Sequence, residues 1–306
     1  MKKIISNAYD RNFIRVCLFF SLLLPFISYA QNSFEGIIVN KTTKVPIPYV
    51  SIFLMKGKVG VNADENGLFK LEITNREVDD SLIVTCMGYA PLKFPVQDAD
   101  KLWSASAKIE LTELVHNLKE VVILNNNFTN SITLNEFDEL PGRYYGSGNH
   151  IAQLAQHFVS PSQNAMIKDV KIARFSIPLL MPQKAIFRIR VYEVDPLTKQ
   201  PANDLTDEVI EVKTKSKIVE LNLEKYKIYI PNKDFFIAIE WLRIPYNATE
   251  TKINGKTVTN YAPSIGWSKN QAPNMDIWQL GLNNVWGRFP PYLKANNLAI
   301  AVSLKY

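Results

Sequence analysis

The sequence predicts an exported all-β protein: two successive β-sandwiches joined by a polar segment that holds one short helix. Three observations carry that prediction. Short apolar or alternating runs are separated by Gly, Pro, Asn and Asp turns along most of the chain. One helical periodicity interrupts them, at Ile151, Leu154, Ala155 and Phe158. The first 30 residues have the composition of a leader rather than of folded chain.

Lys2, Lys3, Arg11 and Arg15 form a basic start. Val16 to Ile27 is an apolar run of about a dozen residues, short for a membrane span. Ser28-Tyr29-Ala30 then offers small residues where a leader peptidase needs them. The expectation is a signal peptide over residues 1–30, no transmembrane helix after cleavage, and a mature protein in the periplasm, at the outer membrane or on the cell surface. Cys17 lies early in the apolar run, which argues against lipid attachment there. Removing the leader takes away four basic residues and one acidic residue, so the net charge falls from +6 to +3. That balance is too mild to predict nucleic-acid binding. Only Cys86 then remains, inside a strand pattern, so no disulfide framework is expected and the 47% apolar composition must supply the cores.

Residues 31–124 form the first expected domain. Phe34 to Asn40 and Tyr49 to Met55 read as strands. Asp64-Glu-Asn-Gly67 reads as a hairpin turn, because Asn and Gly accept positive φ. After it Phe69, Leu71 and Ile73 alternate with Leu68, Lys70 and Glu72. Ser81 to Met87 is largely apolar, so it is expected at the centre of its sheet. Leu92 to Val96, Ala107 to Leu111 and Glu120 to Leu124 add shorter strands of an antiparallel sandwich.

Four segments carry a family resemblance: Phe34-Glu-Gly-Ile-Ile-Val, Pro48-Tyr-Val-Ser-Ile, Asp64-Glu-Asn-Gly-Leu-Phe and Leu82-Ile-Val-Thr-Cys-Met-Gly-Tyr89. Together they resemble the carboxypeptidase-regulatory-like domain, a small transthyretin-like sandwich common in exported proteins of Bacteroidetes. The resemblance implies a fold and a compartment, and little about activity. Leu118-Lys-Glu-Val-Val-Ile123 is similar to the segment that follows this module in receptors of the glycan-uptake type. The remaining chain is too short for their plug and barrel.

The family name invites a zinc peptidase, and the residues refuse it. The chain has three histidines, His116, His150 and His157. A His-x-x-Glu pair would need Glu where Lys119, Gln153 and Ser160 stand. Asn62, Asp64, Asn66 and Gly67 begin like a calcium loop, but Ile73 occupies the place of its bidentate Glu. No catalytic residue, metal or cofactor is therefore expected.

Residues 125–165 are expected to form a linker with one helix, capped by Asn149 and ended by Pro161. On that helix His150 and His157 would share a side about 10.5 Å apart, awkward for one metal ion.

Residues 166–306 read as a second, jelly-roll-like β-sandwich. Phe187, Ile189 and Val191 alternate with Arg188, Arg190 and Tyr192, the pattern of a half-exposed strand. Phe235 to Leu242 is apolar on both faces except for Glu240, so it should be central. The terminal alternation from Leu298 to Tyr306 is similar to the end of an outer-membrane barrel. Uneven strands broken by Pro178, Pro182 and Pro231 oppose that reading. The segment before the last strand is rich in aromatics. Tyr261, Trp267, Trp278, Trp286, Arg288 and Tyr292 are the candidate ligand-binding residues, since Trp and Tyr rings stack on sugar faces while charged groups bond hydroxyls. The competing reading is that these rings cover the core. The functional expectation is a non-catalytic envelope scaffold or partner-binding module, with a glycan-binding accessory protein as the alternative.

Overall fold

A computed structural model describes residues 33–73, 77, 79–98, 107–114, 128–138, 142–148, 150–175, 183–271, 276–289 and 296–306. The described chain is almost entirely β, as expected, and helix is confined to short turns. The candidate residue Tyr292 and the expected strand at 120–124 lie outside the described residues.

The N-terminal module contains β1 (Ser33–Asn40), β2 (Ser51–Leu54), β3 (Gly60–Asn62), β4 (Leu68–Glu72), β5 (Ser81–Thr85), β6 (Leu92–Pro95) and β7 (Ala107–Leu111). One sheet has the order β4-β1-β7 and the other β3-β2-β5-β6. β5 is internal, as its apolar run predicts. The pair β1–β7 is parallel, an exception to the expected antiparallel plan. Ile38, Leu71 and Leu111 from the first sheet and Ile52, Leu54 and Leu82 from the second fill the space between them.

The Asp64–Gly67 turn is present but does not close a hairpin. Asp64 Oδ1 accepts from the N–H groups of Asn66 at 2.8 Å and Leu68 at 2.9 Å. Gly67 sits at φ 74°, and a Cβ there would lie 2.7 Å from the Ile38 carbonyl oxygen. Yet β3 pairs with β2, whereas β4 pairs with β1. The turn therefore passes the chain from one sheet to the other. Turn chemistry sets the bend, and the sheet that receives the next strand is decided by packing.

The C-terminal body begins earlier than its apolar pattern predicts. Residues 125–165 hold β8 (Ser131–Leu134), β9 (Tyr144–Tyr145) and β10 (Ile151–Val159). After them come β11 (Ala165–Phe175), β12 (Ala185–Val194), β13 (Pro201–Asp204), β14 (Ile210–Thr214), β15 (Ile218–Asn222), β16 (Tyr229–Ile230) and β17 (Asp234–Trp241). A hairpin of β18 (Ala248–Ile253) and β19 (Lys256–Tyr261) follows. The chain ends with β20 (Ser264–Gln271), β21 (Ile277–Gly281), β22 (Trp286–Arg288), β23 (Asn296–Leu298) and β24 (Ile300–Lys305).

A seven-stranded sheet has the order β13-β12-β17-β10-β21-β22, with β14 beside β12. An eight-stranded sheet has the order β23-β20-β11-β24-β8, with β15 and β16 on β11 and β9 on β20. Between them lies one core. Phe187, Ile189, Ile237, Ile239 and Trp241 come from the first sheet, and Val170, Ile172, Ile300 and Val302 from the second. Trp241 buries its ring and donates from Nε1 to the Pro263 carbonyl at 2.6 Å.

The expected short helix is a strand. β10 pairs with β17 on one side and β21 on the other. Leu154 and Phe158 join the core, while Ala155 belongs to a separate cluster on the other face of the sheet. A strand buried on both faces loses its period of two, and the remaining apolar spacing imitates a helix. His150 and His157 consequently do not share a helix side.

Among the described residues, no helix is long and apolar enough to cross a membrane.

One buried amide fixes the segment after β17. Asn247 Nδ2 donates to the carbonyls of Ile186 at 2.6 Å and Leu242 at 2.7 Å, and its Oδ1 accepts from Ile186 N–H at 2.9 Å. Replacing Asn247 by Ala strands three buried backbone groups. Because each unmatched group costs about 1–3 kcal/mol, urea unfolding of Asn247→Ala should show a loss of about 3 kcal/mol with an unchanged m-value. A loss below about 1 kcal/mol would show that the amide is dispensable.

Candidate functional site

The site lies on the face of the seven-stranded sheet that points away from the core. Strand register fixes which residues share it. Arg188 and Gln153 both lie opposite Glu240, Arg190 and Ala155 lie opposite Ala238, and Tyr192 and His157 lie opposite Phe236. β21 adds Trp278 opposite Ala155 and Leu280 opposite Gln153. The pattern Arg188, Arg190, Tyr192 predicts the exposed side of a half-exposed strand. In the structure Arg188 and Tyr192 are buried, because other parts of the chain cover that face.

Part of the cover is the N-terminal module. Asn62 N–H donates to the Arg243 carbonyl at 3.2 Å, and Arg243 N–H donates to Asn62 Oδ1 at 2.8 Å. Asn62 Nδ2 donates to the Tyr49 carbonyl at 3.2 Å and to Ser51 Oγ at 3.0 Å, which fixes the amide. The residue that opens the calcium-like pattern is thus a joint between the module and the body. Tyr49 closes the joint with Ile186, Leu242 and Ile244 in a small buried cluster. Its φ of 58° is unusual for a bulky residue and is held by that packing. His150 approaches the same module through a 3.2 Å contact of Nδ1 with the Lys58 carbonyl.

Where the module lifts away from the sheet there is a cleft of about 360 Å³, within the range of small-molecule sites. Ser51, Asn62 and Cys86 line it from the module. Gln153, Arg188, Arg190, Glu240, Arg243 and Trp286 line it from the body. Tyr192 donates to Gln153 Oε1 at 2.7 Å, and burial raises its phenol pKa well above the ordinary value. Arg190 is fully matched. It donates from Nε to Asp204 Oδ1 at 2.8 Å, from Nη2 to Asp204 Oδ2, and from Nη1 to Glu240 Oε2 at 3.1 Å. Burial opposes its charge, but Tyr192, Glu240 and Asp204 together raise its pKa above the usual guanidinium value. Cys86, the lone thiol of the strand pattern, is pushed up by burial, with Arg188 and Arg190 lowering it and Glu240 raising it.

Beyond Tyr192 the same face turns aromatic. Trp286 meets Tyr192 edge-on with centroids 5.7 Å apart, and Trp278 meets Phe236 edge-on at 6.5 Å. Trp278 Nε1 donates to Asp276 Oδ1 at 3.3 Å, and Arg288 Nη2 donates to the same oxygen at 2.9 Å.

Three of the candidate residues, Trp278, Trp286 and Arg288, therefore meet on β21 and β22. Trp267 is on β20 in the opposite sheet, packed against the main core and stacked on Tyr145 at 5.0 Å. Tyr261 lies under the Arg243 guanidinium at 5.0 Å. The main cleft residues, Asn62, Gln153, Arg188, Arg190, Glu240 and Arg243, were not among the candidates. For Gln153, Arg188, Arg190 and Glu240 the signal was a charged or amide side chain inside an otherwise apolar strand, with Glu240 the clearest case.

His157 forms a second polar centre. Its Nε2 lies 2.9 Å from Asp234 Oδ1 and its Nδ1 lies 2.9 Å from Asp276 Oδ2. Both nitrogens must carry protons to make both bonds. Burial disfavours the charged ring, but Asp276 and Asp234 outweigh it and raise its pKa. Asp276 falls to about 2, through its bond to His157 first and, against burial, Arg288.

Residues 34–123 match the family model of the CarboxypepD_reg-like domain, so the N-terminal module is of that class. No curated protein matches the chain. A solved structure of the cysteine protease and lectin-like domains of Cwp84, a surface layer associated protein of Clostridium difficile, is similar at 14% identity and a TM-score of 0.35. The similarity covers 51% of this chain and 32% of that one, so it reaches about a third of that protein's length. A likeness at that level carries no argument about ligand or activity.

The histidine pair gives a pH dependence with a definite sign. The raised pKa of His157 stabilises the fold fully below its unfolded value of about 6.5, and that contribution is lost as pH rises through the folded pKa. The depressed pKa of Asp276 contributes above its unfolded value of 3.8, and that contribution is lost as pH falls toward about 2. Urea stability measured against pH should therefore decline on the alkaline side in the native protein and show no such step in His157→Gln. An unchanged alkaline decline in the variant would assign it elsewhere.

Proposed function

We propose that this protein is an exported, non-catalytic binding protein of the cell envelope. In this reading its CarboxypepD_reg-like module is a scaffold that walls one side of a ligand site on the β body. The observation that carries the reading is the cleft at the junction. Sites at the boundary of two packed bodies, concave and lined by a few fixed polar groups, are the usual places for ligands. The polar groups here are positioned by one another: Arg190 by Asp204 and Glu240, and Tyr192 by Gln153. The carboxylates near the site are engaged in ion pairs, Glu240 with Arg190 and Asp276 with His157 and Arg288. That pairing favours binding over proton transfer, because a general acid must be free to hold and release its proton near the working pH.

A second reading, a glycan-binding accessory protein, is favoured by Trp286. It is half-buried at the cleft wall beside Tyr192, where a ring can offer its edge or face to a sugar. Trp278 and Arg288 would extend the same surface.

Two measurements test the scaffold reading. Calorimetry should show one cooperative unfolding transition for the native protein. Asn62→Ala should lower its midpoint by several degrees or split it, since the exchange removes the side-chain bond to Arg243. Two transitions in the native protein would mean that the module is tethered rather than built in. Cell fractionation should recover the protein, shortened at its N-terminus, in the envelope. A full-length cytoplasmic pool would overturn the exported assignment.

A further inference from the structure

We propose that the junction cleft binds a carboxylate-bearing sugar, a hexuronate unit, with Arg188 as the group that meets the carboxylate. The inference rests on the glycan reading of the same cleft.

Its first support is an unpaired buried charge. Arg188 is 5% exposed, and its Nε has no hydrogen-bond partner among the described residues. Its guanidinium makes one hydrogen bond among the described residues, a long 3.5 Å donation from Nη2 to the Pro48 carbonyl. It also lies over the Tyr49 ring, 5.6 Å from the centroid, and among the described residues no carboxylate lies within ion-pair distance of it. Burying a guanidinium in this state is expensive, and the ordinary remedy is a partner carboxylate. Arg190, two residues away on the same face, has two. Arg243 is 6% exposed and likewise has an unpartnered Nε, while its Nη2 donates to the carbonyls of Gly148 at 3.1 Å and Ile151 at 3.0 Å. Burial lowers its pKa, with only the Tyr261 ring opposing.

The ion pairing points to an anion. Of the three guanidiniums that line the cleft, Arg190 pairs with Glu240 and Asp204, and among the described residues Arg188 and Arg243 pair with no carboxylate. Glu211, the cross-strand neighbour of Arg188 on β14, is solvent-exposed and forms no ion pair with it. A guanidinium fork also matches a planar carboxylate, which accepts two parallel N–H bonds.

The second support is the rest of the wall. Trp286 offers an apolar ring, while the Gln153 amide nitrogen and the Ser51 hydroxyl, which Asn62 uses only as an acceptor, offer donors that bond sugar hydroxyls. A simple carboxylate would use only the arginine end. A hexuronate uses both.

The test titrates the protein with galacturonate and glucuronate oligosaccharides, their neutral galactose and glucose counterparts, acetate and inorganic phosphate. It is followed by calorimetry and tryptophan fluorescence. The expected result is uronate binding at least about tenfold tighter than neutral sugar, acetate or phosphate. Arg188→Met, which keeps the apolar stem, should weaken uronate binding about 10–100-fold with an unchanged or raised melting temperature, since a charge-assisted bond is lost and a buried charge removed. Arg188→Lys should fall between the two, because it keeps charge without the fork. Trp286→Ala should weaken uronate and neutral sugars alike. Equal binding of neutral and acidic sugars, lost in Trp286→Ala, would overturn the carboxylate inference and leave the glycan reading standing. Binding of acetate or phosphate as tightly as uronate would overturn the sugar. If no saccharide binds, both fall.

Discussion

The pairing of Asn62 with Arg243 is the constraint on which the arrangement depends. Two hydrogen bonds join the end of β3 to the chain just after β17, one through the backbone carbonyl of Arg243 and one through the Asn62 side chain. The apolar contact around them is small, a cluster of Tyr49, Ile186, Leu242 and Ile244. Apolar area would let the module slide, since burial is not directional. Hydrogen bonds of about 1 kcal/mol each add little net energy but demand one geometry. Asn247 holds the other side of the joint by fixing the backbone of Ile186 and Leu242. The position of the module over the sheet is thus a matter of specific polar bonds, and the cleft keeps its shape through them.

That geometry explains why the outward face of the seven-stranded sheet is so unusual. A sandwich face turned to water carries scattered charges that are hydrated and mobile. Here Arg188, Arg243 and Glu240 are buried, and Arg190 nearly so. For stability alone, apolar side chains of similar size would serve as well or better, because desolvating a charge is rarely repaid in full. Arg190 has the compensation that a structural charge needs. Arg243 has part of it, from two backbone carbonyls and the Tyr261 ring, and Arg188 has least, a long bond to the Pro48 carbonyl and the Tyr49 ring. The contrast on a single face separates a structural ion pair from the less matched guanidinium on which the proposed ligand site rests.

Much of the fold was legible because the N-terminal strands alternate cleanly. Phe69 and Leu71 are buried and Leu68, Lys70 and Glu72 exposed, as their positions predict. β5 and β17 were recognisable as central from continuous apolar runs. The errors came where both faces of a strand are covered. In β10 the polar residues Gln153 and Gln156 are buried, so polarity no longer marks the outside. Gln156 Oε1 accepts from Leu298 N–H at 2.6 Å within the core side, and no sequence pattern announces such a bond. The aromatic stretch shows a related limit. Trp267 and Trp278 are eleven residues apart, but β20 and β21 belong to opposite sheets. Proximity along the chain said nothing about proximity in space. The cleft was invisible for the same reason, since positions 62, 153, 188, 240 and 243 meet only through topology.

The residues that were singled out and those that were missed turn out to occupy two ends of one surface. Ala155 and Ala238 sit between them, fully buried, under the rings of Tyr192, Phe236 and Trp278. Small side chains there let the aromatic rings lie down on the sheet. Upright large residues would instead fill the face and close it off. Trp286 spans the division, since it packs on this aromatic floor and also borders the arginine cleft. Its position couples the two halves physically: a change in the tilt of that ring alters both the wall of the cleft and the edge-on contact with Tyr192. Tyr192 in turn holds Gln153, which stands beside Glu240 in the register of β10. The face behaves as one connected polar and aromatic lattice, with the module as its lid at the arginine end and His157, tied between two carboxylates, as its anchor at the other.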